Sequence, residues 1–123
     1  MIRINPAKSI LVIEDDSDIR ELLKIALEME GHKVETAQNG KEAWDFLQNP
    51  ERKPALMVID LMMPVMDGWE FLKLKAQSSD LREVPALIVS ATSEKEFPDF
   101  EKNQIILRKP VDLQHFLNQV ARF

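Results

Sequence analysis

The sequence predicts an α/β fold: a doubly wound, five-stranded parallel sheet with helices on both faces. Three observations predict it. Short apolar runs alternate along the chain with stretches that carry apolar residues at helical spacing. The runs are nearly continuous in Val, Ile and Leu, the pattern of strands buried on both faces. Several runs lead directly into acidic, hydroxyl or basic residues, so the strand ends bring reactive side chains toward what would be one sheet edge.

Taken in order, Ser9 to Glu14 reads as the first strand. The helix after it carries Ile19, Leu22, Leu23, Ala26 and Leu27 as one apolar stripe, and Gly31 stops it. Lys33 to Ala37 is a weakly alternating second strand. After Asn39-Gly40, the residues Ala43, Trp44 and Leu47 mark a second helix that ends at Asn49-Pro50. Ala55 to Asp60 is the third strand. Helical spacing returns after Asp67-Gly68 with Trp69, Leu72 and Lys75, and Pro85 to Val89 forms the fourth buried run. Between Ser93 and Asn103, Pro98 would remove a helical donor and clash with the preceding turn, so any helix there is short or broken. Ile105 to Leu107 is the fifth strand. A last helix starts at Asp112 and is marked by Leu113, Phe116, Leu117 and Val120. About five helices are therefore expected to alternate with the strands.

A chain of 123 residues with 45% apolar and 30% charged residues supports one core and no second. The net charge of −5, without any long Lys/Arg run, leaves no footprint for direct nucleic-acid or membrane-surface binding. Without cysteine there is neither a disulfide framework nor a thiolate metal site. The longest apolar stretch, Ala55 to Met66, is broken by Asp60 and Pro64 and cannot span a membrane. The reading is of a soluble, cytoplasmic protein.

The chemistry gathers at the strand ends. Ile10 to Ile13 runs into Glu14-Asp15-Asp16, and Ala55 to Ile59 runs into Asp60. Aspartates from two strands on one rim repel each other unless a cation joins them. An all-oxygen donor set suits a hard ion such as Mg2+, which in turn suits phosphate chemistry. Ser90 and Lys109 lie at or past the ends of two further strands. Each has an ordinary alternative: Asp15-Asp16 can cap the first helix, Asp60 can be a turn residue, and Ser90 a loop serine. Met57, Met62, Met63 and Met66 read as core filling or a pliable loop wall. Trp44 and Trp69 read as helix residues packed on the sheet, and His32 and His115 as solvated surface.

These positions in this order resemble the receiver domain of the two-component response-regulator family, and the likeness runs from Ser9 to Val120. Asp15-Asp16 resembles the family's acidic pair, and Asp60, within Asp-Leu-Met-Met-Pro-Val-Met-Asp-Gly, its phosphoacceptor. Ser90 resembles the hydroxyl switch residue, and Lys109-Pro110 the lysine with its following proline, a candidate cis proline. The resemblance implies a flavodoxin-like topology, with residues 1–8 as an N-terminal extension and 9–123 as a single receiver domain. It implies phosphoryl transfer from a sensor histidine kinase or histidine phosphotransfer protein onto Asp60, assisted by Ser90 and Lys109. Mg2+ would be held by Asp15, Asp16, Asp60 and the Met62 carbonyl. Such a protein is not an enzyme beyond accepting its phosphoryl group and losing it again, and it passes the signal to a downstream protein. The chain departs from the family pattern at Ile106, where an aromatic switch residue is usual, and in the short stretch between Ser90 and Lys109.

Other classes fit less well. A haloacid dehalogenase-type phosphatase wants a second acid where Met62 stands. A flavodoxin-like electron carrier would meet flavin phosphate with Glu-Asp-Asp. The alternative within the family is a degenerate receiver that acts as a phosphorylation-independent interaction module.

Overall fold

The computed structural model describes residues 7–91 and 104–123. The expectation for Ser93 to Asn103 lies outside the described residues, as does most of the N-terminal extension. The elements are β1 (Ser9–Ile13), α1 (Ser17–Met29), β2 (Lys33–Ala37), α2 (Gly40–Leu47), β3 (Leu56–Asp60), α3 (Gly68–Gln77), β4 (Ala86–Ser90), β5 (Gln104–Arg108) and α4 (Leu113–Ala121), with a single 3-10 turn at Pro50–Arg52. All strand pairings are parallel, in the order β2-β1-β3-β4-β5. Where about five helices are expected from sequence, the described residues hold four α-helices and that turn.

Residue parity along the strands divides the core of this one sheet into two layers, one on each face. Leu11, Ile13, Met57, Ile59, Ala86 and Ile88 face α2 and α3, where Ala43, Leu47, Phe71 and Leu72 cover them. Ile10, Val12, Leu56, Val58, Leu87 and Val89 face α1 and α4, where Leu23, Leu27, Phe116 and Val120 cover them. Because successive strand residues point to opposite faces, a strand buried on both sides must be apolar at every position, and β3 and β4 are buried throughout. Trp44 meets Phe71 edge to face with ring centroids 6.3 Å apart, joining α2 to α3. Trp44 and Trp69 both pack against this core, as expected for helix residues on the sheet.

Helix starts follow a common chemistry. Asp16, Asn39, Asp67 and Asp112 each accept backbone N–H bonds from the first turn of α1, α2, α3 and α4. At the far end of α1, Gly31 adopts φ 92°, and its N–H reaches the Glu28 carbonyl while that of His32 reaches Leu27. This closing turn needs a left-handed residue, which glycine supplies without strain. Lys75 sits on the buried side of α3 with no exposed surface, and its Nζ donates to the Arg82 carbonyl at 3.3 Å. Among the described residues, no helix is long and apolar enough to cross a membrane.

The chain leaves β1 for β2 on one side and reaches β3 on the other. The carboxyl ends of β1 and β3 therefore flank the switch point, where a crevice opens in sheets of this kind.

Candidate functional site

The edge formed by the ends of β1, β3, β4 and β5 gathers the reactive side chains. Carboxylate oxygens of Glu14, Asp15 and Asp60 all lie within 4.8 Å of one another. Glu14 and Asp60 are each only 2% exposed, whereas Asp15 is open to solvent. Lys109 reaches in from the end of β5, with its Nζ 3.2 Å from Glu14 Oε1 and 3.5 Å from Asp60 Oδ2. One ammonium thus pairs with two of the three carboxylates, which outnumber it.

The proton affinities reflect burial first and the neighbouring charges second. Burial pushes the Glu14 carboxyl up to about 7; the neighbouring Asp60 adds to the rise and Lys109 opposes it. Asp60 is also raised, again chiefly by burial, against the Met62 N–H and Lys109, which favour its ionised form. Burial pulls Lys109 down, but Glu14 and Asp60 together outweigh it and hold the ammonium above its ordinary value.

Of the three acids singled out in the sequence, the structure gathers two. Asp15 and Asp60 come together as expected, but the third member of the cluster is Glu14. The Asp16 carboxylate instead accepts from the N–H groups of Asp18 and Ile19 at 2.9 and 3.1 Å. The helix-capping alternative therefore describes Asp16, while Asp15 belongs to the cluster. The overlooked signal is the start of α1. A helix whose stripe begins at Ile19 needs a cap about three residues earlier, and that requirement occupies Asp16.

Ser90 and Lys109 lie where the strands deliver them. Asp60 pairs in register with Val89, so Ser90 is the next residue along the adjacent strand, and it is fully buried. Its carbonyl accepts the Lys109 N–H at 2.8 Å, joining the ends of β4 and β5. The Lys109–Pro110 peptide is cis, as the turn chemistry suggests.

Beyond Asp60, the loop is held closely. The Met62 N–H donates to Asp60 Oδ1 at 3.1 Å, which sets the Met62 peptide beside the carboxylate. The Gly68 N–H bonds to the Leu61 carbonyl, and the Gly40 N–H to that of Met66, each at 3.0 Å. A side chain at Gly68 would meet the Asp60 carbonyl at 2.6 Å, and one at Gly40 would meet the Met66 carbonyl at 2.8 Å, so both positions require glycine for close approach. Met57 and Met63 fill core, as expected, but Met62 is 60% exposed on the rim. Val65 has φ 69°, a left-handed conformation that is costly for a β-branched residue, and it is 76% exposed. Val65→Asn is therefore expected to stabilise the protein by about 1 kcal/mol, read as a higher urea midpoint at unchanged slope. A lower midpoint would mean that the valine methyls hold the loop.

A family model for the response regulator receiver domain matches residues 10–121. The chain belongs to the response regulator receiver family. Response regulator Rre1 of Synechocystis is 37% identical to it over 84 residues, 68% of this chain and 36% of that protein. A 14.6 kDa protein of Leptolyngbya boryana is 34% identical over 123 residues, 93% of this chain and 88% of that protein. Among solved structures, the chemotaxis response regulator CheY4 of Vibrio cholerae is similar with a TM-score of 0.84 at 26% identity, covering 95% of this chain and 98% of that one. The signal receiver domain of a histidine kinase from Syntrophus aciditrophicus gives 0.83 at 29%, covering 94% and 89%. The receiver spans about a third of the length of several of the curated response regulators it matches.

Within this receiver, Ile106 stands three residues before Lys109 and is partly buried against the α2–α3 core. His115 donates its N–H to the Asp112 cap of α4 and is exposed. His32 lies near the opposite edge of the sheet, where its Nδ1 accepts the Lys8 N–H at 3.2 Å.

Proposed function

We propose that this receiver takes a phosphoryl group from a partner's phosphohistidine onto Asp60 and switches conformation in response. The observation that carries the reading is the convergence of Glu14, Asp15, Asp60 and Lys109 on one sheet edge.

The pocket fits a divalent cation. Its donors are all oxygen, two of the three carboxylates are buried, and a single lysine leaves their charge in excess. Glu14, Asp15 and Asp60 would hold Mg2+ together with the Met62 carbonyl; Asp16, engaged as a helix cap, is left out of the set. When bound, Mg2+ neutralises phosphoryl oxygens and the repulsion among the carboxylates.

In the transfer, a carboxylate oxygen of Asp60 forms a bond to phosphorus as the bond from phosphorus to the histidine nitrogen breaks, and the imidazole leaves with that electron pair. The Met62 N–H on Oδ1 orients the attacking carboxylate. Lys109, already beside Asp60, is in reach of a phosphoryl oxygen once its bond to Glu14 loosens. Ser90, next along β4, offers its hydroxyl to another. The natural partners are a sensor histidine kinase or a histidine phosphotransfer protein on one side and a downstream effector on the other. With acceptor, acids, hydroxyl and lysine all present, nothing favours a phosphorylation-independent module.

The test is intact mass after incubation with Mg2+ and acetyl phosphate. A gain of one phosphoryl group, mapped to Asp60 by borohydride reduction and peptide mass, is expected; no gain would overturn the reading.

A further inference from the structure

Between β1 and α1, residues Glu14, Asp15 and Asp16 must turn the chain and also present two acids to the pocket. The turn is held from several directions. The Glu14 N–H bonds to the Ala37 carbonyl of β2 at 3.0 Å, and the Asp16 carboxylate caps α1. One further side chain reaches back onto it. Arg20, in the first turns of α1, places a guanidinium nitrogen 2.9 Å from the Glu14 carbonyl and 3.4 Å from that of Asp15. The shorter contact is a full hydrogen bond and the longer a weaker companion.

We propose that Arg20 is a positioning residue for the acidic pocket, fixing the peptide planes that carry Glu14 and Asp15 so that their carboxylates are set for a divalent cation; this rests on the Mg2+ reading above. Among the described residues, Arg20 makes no ion pair, and its bonds go to main-chain carbonyls. Its charge lies close to a pocket built to attract a cation. By charge alone, the arginine would weaken metal binding. What favours it is geometry: a single guanidinium nitrogen, Nη1, serves two neighbouring carbonyls from its fixed place in the guanidinium plane, and the acids on those residues inherit the order. Groups that orient metal-binding residues without touching the metal commonly change affinity by one to two orders of magnitude when removed.

Positioning and charge therefore predict opposite signs. The experiment is calorimetric Mg2+ titration of the parent, Arg20→Gln, Arg20→Lys and Lys24→Gln, with folding verified by circular dichroism at the same temperature. Arg20→Gln is expected to raise the Mg2+ Kd about tenfold, although it removes a nearby positive charge. Lys24→Gln, which removes a charge one turn further along α1, should leave the Kd equal or slightly lower. Arg20→Lys keeps the charge but loses the rigid plane that directs the Nη1 N–H groups, and should bind roughly threefold more weakly than the parent. An Arg20→Gln Kd equal to or below the parent's would overturn the proposal while leaving the Mg2+ site intact. If Arg20→Gln does not fold, Arg20→Lys decides: with charge conserved, a weaker Kd supports positioning, and an unchanged or lower one overturns it. A parent that shows no Mg2+ binding would bring down both the site and the proposal.

Discussion

Replacing Asp60 by asparagine is expected to abolish phosphoryl uptake while leaving the fold intact. The amide is nearly isosteric, and its oxygen can still accept the Met62 N–H that now binds Oδ1 at 3.1 Å. It is a poor nucleophile, however, and cannot form the acyl phosphate. The substitution should also affect stability in a second, less obvious way. Asp60 is 2% exposed, and burial raises its carboxyl, so its ionised form is disfavoured in the folded state. Without metal, Asp60→Asn should therefore raise stability at neutral pH, and Mg2+ should add far less to it than to the parent. Intact mass with acetyl phosphate reads the first effect, and urea unfolding in chelator and in Mg2+ reads the second. Labelling of Asp60→Asn at the parental rate would place the acceptor elsewhere.

In chelator, the parent should lose stability as pH rises from about 4.5 to about 7. The Glu14 carboxyl is raised from an ordinary value of 4.5 to about 7 in the folded protein. Over that interval the folded state holds a proton that the unfolded chain has released, so unfolding becomes easier as pH rises. Above about 7 both states are ionised and this contribution levels off. Its ceiling lies between about 3 and 4 kcal/mol, at about 1.4 kcal/mol for each pKa unit, and Asp60 acts in the same direction. Lys109, whose proton affinity is raised, contributes stability that is lost only as pH climbs through its own folded pKa, well outside the interval. Urea midpoints between pH 4.5 and 8 for the parent and Glu14→Gln isolate the effect, because the amide removes the titration and leaves the rest of the chain unchanged. The difference between the two should change with pH in the stated sense. A parent that gains stability relative to Glu14→Gln as pH rises would show that the pocket tolerates its charge without metal.

Much of the fold is legible in the sequence because burial on both faces writes itself into consecutive residues. No polar position interrupts Leu56 to Ile59 or Ala86 to Val89, and the structure buries them all. The helix starts are legible for a related reason: Asp67 and Asp112 precede apolar stripes at cap distance, and both cap. The site is less so. Glu14, Asp15 and Asp16 form an unbroken acidic run, and which of them face the pocket depends on where β1 stops and α1 begins, a boundary that residue type alone leaves open within a residue or two. Lys75 shows another limit. It occupies an apolar-stripe position, and nothing local reveals that the carbonyl of Arg82 waits at the other end of its side chain. Arg20 was hidden for the same reason: its partners are main-chain atoms, and these have no letter in a sequence.

The loop that leaves Asp60 has a consequence for encounter with a partner. It is tied to α2 through Gly40 and closed on α3 through Gly68, at contacts too close to admit a side chain. On the proposed reading, a partner bringing a phosphohistidine to this rim would meet backbone that is already in shape. The entropy of ordering that surface is lost during folding, and little of it remains to be lost on each collision. An encounter of this kind could be brief and still productive, as the proposed cycle of loading, reading and release requires.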